Sequence, residues 1–428
     1  MATKKTAKRS SSSDCISRTI GGVDVGNDSK RPRTSTATAT ASVKEEDTTI
    51  NNPSQAVSRD NVNSASESNN AVTANNNNND DDDKEEESQN KELPTPVELS
   101  QELCKIVSDR YSRDESLRTL KNLTNWAFTE DADFLKSFHI YGGIVRVVDF
   151  LNATMKDVNC KGFIRTECIG KAADVIATVA CRGENDDNND ITAKIITTLM
   201  VCDGIDTLIN ASEEYTGEDD IPQLNTLRYV WIAFRNLTYS LTNSDWVISK
   251  KKAIDIFDTG IDIISQLKSI GGGDIASEIL QHIFCTFDFI VFDKYVTKKY
   301  FEDKNIFSKC LEVLKRNGMW TLESRERLIQ EAIEFFDYCC DEYLLDSSDY
   351  EMILPLLVIV LKKFPSNDEI RAGAMNMMDR SCSTINDKKI IERSGALEVL
   401  AILLASDEIN DEDEKDTVRT LIGKRSSH

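Results

Sequence analysis

The chain has 428 residues, of which 51 are Lys or Arg and 73 are Asp or Glu, so its formal net charge at pH 7 is −22. This charge disfavours binding to duplex nucleic acid and favours partners that carry basic segments. The longest clear apolar stretch is residues 352–361. It is shorter than the roughly 18 residues that cross a bilayer, so we expect no membrane span and no membrane partner.

Residues 1–97 are predicted to be a disordered low-complexity tail. They contain no Trp, Phe or Tyr, and they include runs of Ser, Asn and Asp. Such a composition cannot bury enough apolar surface to offset the conformational entropy lost on folding. The tail is basic and then acidic: residues 1–44 carry nine Lys/Arg and three Asp, whereas residues 45–97 carry three Lys/Arg and thirteen Asp/Glu.

Short basic clusters in the tail suggest a targeting signal for nuclear import. They are Lys4, Lys5, Lys8, Arg9, Lys30, Arg31 and Arg33. Import receptors read extended Lys/Arg side chains, although a solvated charge cluster explains the same residues. A mitochondrial presequence fits less well because the segment has almost no apolar face, and the lack of an apolar core region predicts no secretory signal.

From residue 98 onward, apolar helices are predicted to start at regular intervals. The starting residues are Gly143, Gly204, Gly260, Asn305, Met352 and Gly395. Successive starts are 61, 56, 45, 47 and 43 residues apart. A period of about 40 to 47 residues is typical of stacked helical repeats, in which each unit buries its apolar face against its neighbours.

The residues between these helices are typical of turns and loops. Gly or Asn at the start of each helix suits a left-handed residue between two helices, and Pro355 is predicted to lie in a first turn, where proline is tolerated. The longer first intervals contain the polar stretches 183–189 and 213–220. Both stretches are predicted to be loops.

Three segments resemble the armadillo-repeat family. Residues 389–404 resemble the first and second helices of such a repeat, residues 229–237 resemble its third helix, and residues 120–123 echo that third helix. The resemblance covers residues 98–425. It implies an all-α fold, namely a right-handed α-solenoid of about six degenerate armadillo/HEAT-like repeats over residues 98–428.

The resemblance also implies a partner-binding concave face lined by the third helices. The residues that match this face are Arg118, Asn122, Asp174, Thr178, Ile232, Asn236, His282 and Thr286. Arg118 and Ile232 stand where peptide-binding members have Trp, so the Trp/Asn ladder of the nuclear-import adaptors is absent. Asn122 and Asn236 have a second explanation, because a buried amide can tie together the backbones of adjoining repeats.

Residues that would support catalysis or metal binding are scarce. There are three His and eleven Cys, with no CxxC pair. Cys181, Cys285 and Cys310 are predicted to be buried reduced thiols, and a disulfide between the adjacent Cys339 and Cys340 would be strained. We therefore predict no catalytic residue, no metal site and no cofactor, and an intracellular, reducing location in the nucleus or cytoplasm.

The sequence as a whole predicts a non-enzymatic scaffold for protein–protein interaction that binds a partner segment along the concave face. Two alternatives remain at this stage. One is a nuclear-transport adaptor of the importin-alpha type, and the other is a regulatory subunit of an enzyme complex. Many unrelated binding proteins share this architecture, so the identity of the partner and the oligomeric state stay open.

Overall fold

The computed structural model describes residue 98 and residues 113–426. Short gaps lie at residues 129–131, 159, 182–185, 218–219, 243–247, 268–273, 317–324, 386–387, 407–408 and 410–411. Every described residue belongs to the second of two units, Glu92–His428. The predicted tail, with its basic clusters, lies outside the described residues.

The described part of the chain consists of helices and contains no strand. In chain order the helices are α1 (Arg113–Phe128), α2 (Ala132–Ile140), α3 (Gly143–Lys156), α4 (Gly162–Val179), α5 (Asp186–Val201), α6 (Gly204–Glu213), α7 (Ile221–Thr242), α8 (Lys250–Gln266), α9 (Asp274–Phe292), α10 (Lys298–Asp303), α11 (Ile306–Lys315), α12 (Glu326–Asp341), α13 (Ser347–Lys363), α14 (Asp368–Thr384), α15 (Lys388–Ser394), α16 (Ala396–Ala405) and α17 (Glu412–Ser426). This confirms the all-α prediction.

Two ladders of side-by-side helices organise the fold. The third-helix layer consists of α1, α4, α7, α9, α12, α14 and α17, and each helix packs on the next in that order. The second-helix layer consists of α3, α6, α8, α11, α13 and α16, again with each helix packed on the next. The remaining helices, α2, α5, α10 and α15, pack beside the second layer. Six repeats follow α1, and each ends in a helix of the third-helix layer, as predicted.

The predicted left-handed residues occur at two of the six starts as expected. Asn305 has a φ of 52° just before α11, and Gly395 has a φ of 77° just before α16. In the first two repeats the left-handed residue comes one position earlier, at Gly142 with a φ of 69° and at Asp203 with a φ of 57°. The turn therefore matches the prediction in type, and in the first two repeats it is displaced by one residue.

Gly143 and Gly204 are the first residues of α3 and α6, and close packing explains why they are glycine. A Cβ at Gly143 would lie 2.5 Å from the ring of Phe138, and a Cβ at Gly204 would collide with the side chain of Leu199. In both cases the side chain that the Cβ would meet belongs to the preceding helix. The missing side chain therefore lets consecutive helices approach each other closely.

Two predicted helix starts are wrong. Gly260 lies inside α8, and Met352 and Pro355 lie inside α13. In these two repeats, one continuous helix of 17 residues takes the place of the separate first and second helices. Helix α13 instead begins at a capping box formed by Asp346 and Asp349. The third and fifth repeats thus have two helices, as HEAT-like repeats do.

One predicted loop also contributes to a helix. Residues 186–189 of the polar stretch 183–189 form the first turn of α5. In the other polar stretch, α6 ends at Glu213 and α7 begins at Ile221. Most of that stretch is a connection, as predicted.

Aromatic side chains fill the core between the two layers in the middle of the array. The ring of Phe287 on α9 stacks on Phe257 of α8 with the centroids 4.0 Å apart, and it meets Trp231 of α7 edge-on at 6.5 Å. All three side chains are at most 1% exposed. Burying aromatic rings contributes strongly to stability, so this cluster fixes α7, α8 and α9 against one another.

Helix α9 corrects our expectation about long apolar stretches. Its segment Ile275–Phe292 has 18 residues and a mean hydropathy of 1.5, enough by length and composition alone to cross a bilayer, although Glu278 and Asp288 interrupt it. The segment is 72% buried inside the protein, between α7 and α12. The core helix of a helical repeat array has the same composition, so this segment is weak support for a membrane span.

Candidate functional site

The residues predicted to bind a partner lie on four consecutive helices of the third-helix layer. Each helix carries two of them four positions apart, which places each pair on one helix face. The pairs are Arg118 and Asn122 on α1, Asp174 and Thr178 on α4, Ile232 and Asn236 on α7, and His282 and Thr286 on α9. The family pattern therefore selected equivalent positions in successive repeats.

These residues differ in how far their side chains are exposed to solvent. Arg118 is exposed, and Asn122, Asp174, Thr178, Ile232 and Asn236 are half-buried. His282 is only 8% exposed, and Thr286 is fully buried with its hydroxyl donating to the carbonyl of His282 at 2.8 Å. A partner can therefore reach the members on α1, α4 and α7, whereas Thr286 belongs to the core.

Asn236 ties two repeats together. Its side-chain Nδ2 donates a hydrogen bond of 2.9 Å to the carbonyl oxygen of Ala177 on α4. Ala177 is only 2% exposed, so this bond satisfies a buried backbone acceptor. The structure thus supports the backbone-tie explanation for Asn236. Asn122 lies on α1, the first helix of the layer among residues 113–426.

His282 is held neutral by its surroundings. Burial lowers the pKa of its imidazole to about 3, and the nearby Arg235, Arg327 and Arg228 act in the same direction. Its Nδ1 is buried and has no hydrogen-bond partner among the described residues. A neutral, inaccessible ring suits packing between α7 and α12 rather than acid–base chemistry.

Contacts between neighbouring third helices add residues that the sequence analysis missed. Lys171 on α4 lies 5.2 Å from the ring centroid of Tyr229 on α7, and Arg228 on α7 forms a 3.0 Å ion pair with Glu278 on α9. Between α1 and α4, the side chain of Thr124 lies near the carboxylate of Asp174. A polar row therefore crosses the interfaces of four helices. Its signal in the sequence is weak: Lys171 precedes Asp174 by three positions, and Arg228 precedes Ile232 by four.

The row continues toward the C-terminal end of the layer. Between α12 and α14, the side chain of Asn376 donates to Asp337 at 3.3 Å, and Arg380 pairs with Asp341. Between α9 and α12, the carboxylate of Glu331 lies near the side chain of Gln281. These contacts require knowledge of how adjacent helices align, which a single sequence does not provide.

Charge divides the third-helix layer into two halves. Helices α1, α4 and α7, here called the cationic half, together carry seven Lys/Arg and four Asp/Glu. Helices α9, α12 and α14, here called the acidic half, carry three Lys/Arg and eleven Asp/Glu. A binding segment would therefore meet opposite potentials at its two ends.

Burial favours the neutral form of two carboxyl groups in the acidic half. Burial raises the pKa of Asp337 to about 7, and the neighbouring Asp341 also raises it, whereas Asn376 and Arg380 lower it. Burial likewise raises the pKa of Glu331, despite the opposing effect of Arg235. These carboxylates thus have too few cations nearby to offset the cost of their burial.

A cavity of about 320 Å³ lies between the first halves of α4 and α7. Its lining includes Phe163, Glu167 and Lys171 from α4, and Ile221 and Tyr229 from α7. The two helices approach closely beside it, because a Cβ at Gly170 of α4 would lie 2.7 Å from the hydroxyl of Thr226 on α7. This groove lies beside Lys171 and Tyr229 of the polar row.

The described residues give little support for metal binding or nucleophilic chemistry. They include no group of three or more His, Cys, Asp or Glu placed to hold a metal ion. Burial raises the pKa of the Cys310, Cys339 and Cys340 thiols, which keeps them protonated and unreactive. Cys181, which we expected to be buried, is exposed at the end of α4.

The described residues form six repeats after α1 and two continuous helix ladders. In four of these repeats a left-handed residue precedes the helix of the second layer. The chain has an armadillo-like helical-repeat fold. No family model and no curated protein matches the sequence.

Solved structures resemble the chain at low identity. One is an engineered protein, Northeast Structural Genomics Consortium target OR329, with 14% identity over 68% of this chain and 99% of that chain and a TM-score of 0.45. A computationally designed armadillo repeat protein for modular peptide recognition has 13% identity, coverage of 76% and 98%, and a TM-score of 0.39. SYS-1 has 13% identity, coverage of 77% and 64%, and a TM-score of 0.32. The description of the fold rests on the helix layers and not on these scores.

Proposed function

We propose that the protein is a non-enzymatic interaction scaffold that binds a partner segment along the exposed face of its third-helix layer. The observation that carries this proposal is the polar row, whose side chains are in contact across the α4–α7, α7–α9 and α12–α14 interfaces. A solenoid derives its stability from contacts between neighbouring helices, so side chains on such a face are available for recognition. An armadillo-like fold is common among binding proteins and does not itself identify the partner.

The acidic half favours a partner segment rich in Lys and Arg. Its carboxyl groups with raised pKa values, including Glu331 and Asp337, would be stabilised in the charged form by a cation from the partner. Complementary charge would also steer the partner toward this half and increase the association rate. We therefore place the basic part of the partner on α9, α12 and α14.

A nuclear-transport adaptor is the second candidate, and it rests on the basic clusters of the tail. The third-helix layer gives it little support, because Arg118 and Ile232 replace the expected Trp and the amide of Asn236 is engaged with Ala177. A regulatory subunit of an enzyme complex would use the same surface and differs only in its partner. All three functions are compatible with a nuclear or cytoplasmic location.

Affinity purification of the full chain with matched charge variants tests the scaffold proposal. The test variant is Glu331→Gln with Glu334→Gln and Asp341→Asn, which removes three carboxylates from α12. The control variant is Asp262→Asn with Glu312→Gln and Glu398→Gln, which removes three exposed carboxylates from the second-helix layer. We expect mass spectrometry to recover the same basic partners with the wild type and the control, and to lose them with the α12 variant. Equal recovery with both variants would contradict the proposed surface.

A further inference from the structure

The groove between α4 and α7 combines an apolar mouth with an aromatic ring that lies beside two cations. Two large apolar side chains stand in solvent at its mouth: Phe163 is 62% exposed and Ile221 is 65% exposed. They occupy the first turns of α4 and α7. The first two residues of α12 are Glu326 and Arg327, and those of α14 are Asp368 and Glu369, so all four are charged. An apolar mouth is thus present between α4 and α7 and is not matched between α12 and α14.

One wall of the groove is an aromatic ring placed beside two cations. Tyr229 has the Nζ of Lys171 at 5.2 Å and the guanidinium carbon of Arg228 at 5.0 Å from its ring centroid. Asp174 pairs with Lys171, and Glu278 pairs with Arg228. Both cations are thereby held in place at the surface, with side chains 28% and 24% exposed.

The charge of the surrounding helices indicates which partner fits. The chain is strongly acidic as a whole, yet α1, α4 and α7 have an excess of three positive charges, seven Lys/Arg against four Asp/Glu. An acidic segment would be repelled by the acidic half and attracted to the cationic half. Glu167 also lines the groove, so a ligand carboxylate would lie toward Tyr229 and Lys171.

We propose that this groove binds a partner segment in which a bulky apolar residue stands next to an Asp or Glu. The apolar side chain enters the cavity of about 320 Å³ between Phe163 and Ile221, and the carboxylate lies beside Lys171. The assignment rests on the proposed scaffold function and gives it a second, chemically different subsite. Together the two subsites would bind a segment that is acidic and apolar at one end and basic at the other.

Fluorescence anisotropy with three synthetic peptides and the full chain tests the proposal. The probe is a short fluorescein-labelled peptide with a central Leu-Phe pair flanked by Glu. In one control peptide Ser replaces the Leu-Phe pair, and in the other Lys replaces Glu. We expect the probe to bind about tenfold more tightly than the Ser control, because burying a large apolar side chain contributes that much. It should also bind more tightly than the Lys control, because Lys171 and Arg228 repel a cationic peptide. Equal affinity for all three peptides, or tightest binding of the Lys peptide, would overturn the proposal.

Variants of the chain locate the binding site. Ile221→Ser should weaken probe binding by about tenfold without changing the thermal unfolding midpoint, because Ile221 is 65% exposed. Lys171→Gln should weaken probe binding by about threefold. Ile402→Ser on α16 is the matched control, since Ile402 is 54% exposed on the other layer. It should leave binding unchanged. Wild-type affinity of Ile221→Ser would overturn the assignment.

Two further outcomes separate this inference from the scaffold proposal. If sedimentation shows self-association that Ile221→Ser abolishes, a second copy covers the groove and the proposed ligand is wrong. If the α12 charge variant retains all basic partners while Ile221→Ser still weakens the probe, the acidic-half surface fails and the groove assignment stands.

Discussion

At the scale of single residues, Asn236 shows that a side chain on a recognition face can also hold repeats together. We predict that Asn236→Ala lowers the free energy of unfolding by about 1 to 2 kcal/mol, because the buried carbonyl of Ala177 loses its donor. Leu237→Ala, which empties a site only 1% exposed, should cost about 2 to 5 kcal/mol. Denaturant unfolding of both variants provides the measurement. An unchanged stability of Asn236→Ala would show that the hydrogen bond contributes nothing.

Asp337 should make the stability depend on pH. Its pKa in the folded protein is raised from 3.8 to about 7, so the folded state binds a proton that the unfolded chain has released. Stability from this group is complete below about pH 4 and is lost as the pH rises through about 7. We predict that Asp337→Asn removes this decrease and is more stable than the wild type at pH 8. Chemical denaturation at several pH values measures the slope, with Asp262→Asn on α8 as the control. A steeper decrease in Asp337→Asn would contradict the assignment.

At the scale of helices, Gly260 shows that a glycine can lie inside a continuous helix, whereas Gly395 separates two helices. Inside α8, a Cβ at this position would lie 2.5 Å from the ring of Phe287 and 2.8 Å from that of Trp231. We predict that Gly260→Ala destabilises the protein by about 1 to 3 kcal/mol through overpacking. Gly423→Ala on α17 meets no atom within 4 Å and should stabilise slightly, because alanine is the better helix former. Thermal unfolding of the two variants distinguishes packing from helix propensity, and a stable Gly260→Ala would refute the close approach.

The same comparison shows what the sequence could and could not predict. The period and the left-handed residues identified the turns before α11 and α16, because Asn305 and Gly395 combine turn chemistry with an apolar helix start. The same pattern was misleading at Gly260, since a helix can continue through glycine when a neighbouring ring requires the space. The candidate site was likewise predictable only in part. Positions on one helix face were predictable from spacing, whereas pairs such as Arg228 and Glu278 depend on the alignment of two helices.

At the scale of the whole molecule, the tail and the helical repeats differ in charge and in predicted role. The basic clusters predict that residues 1–44 fused to a fluorescent reporter will accumulate in the nucleus. Replacing Lys30, Arg31 and Arg33 with Ala should reduce that accumulation, because import receptors recognise extended basic side chains. Fluorescence microscopy of both fusions is the measurement. An even distribution of the two reporters would remove nuclear targeting from the account.

The position of α17 has a consequence for local opening of the chain. This last helix contacts α14 and α16, and its fully buried apolar side chains are those of Val418 and Leu421. In a linear array each repeat is held only by its neighbours, so the helix with the smallest apolar contact opens first. Amide hydrogen exchange should therefore be fastest in α17 and slowest in α7 and α9, which would make the C-terminal repeat an independently fraying unit. Equal protection of all three helices would show that the array unfolds as a single cooperative block.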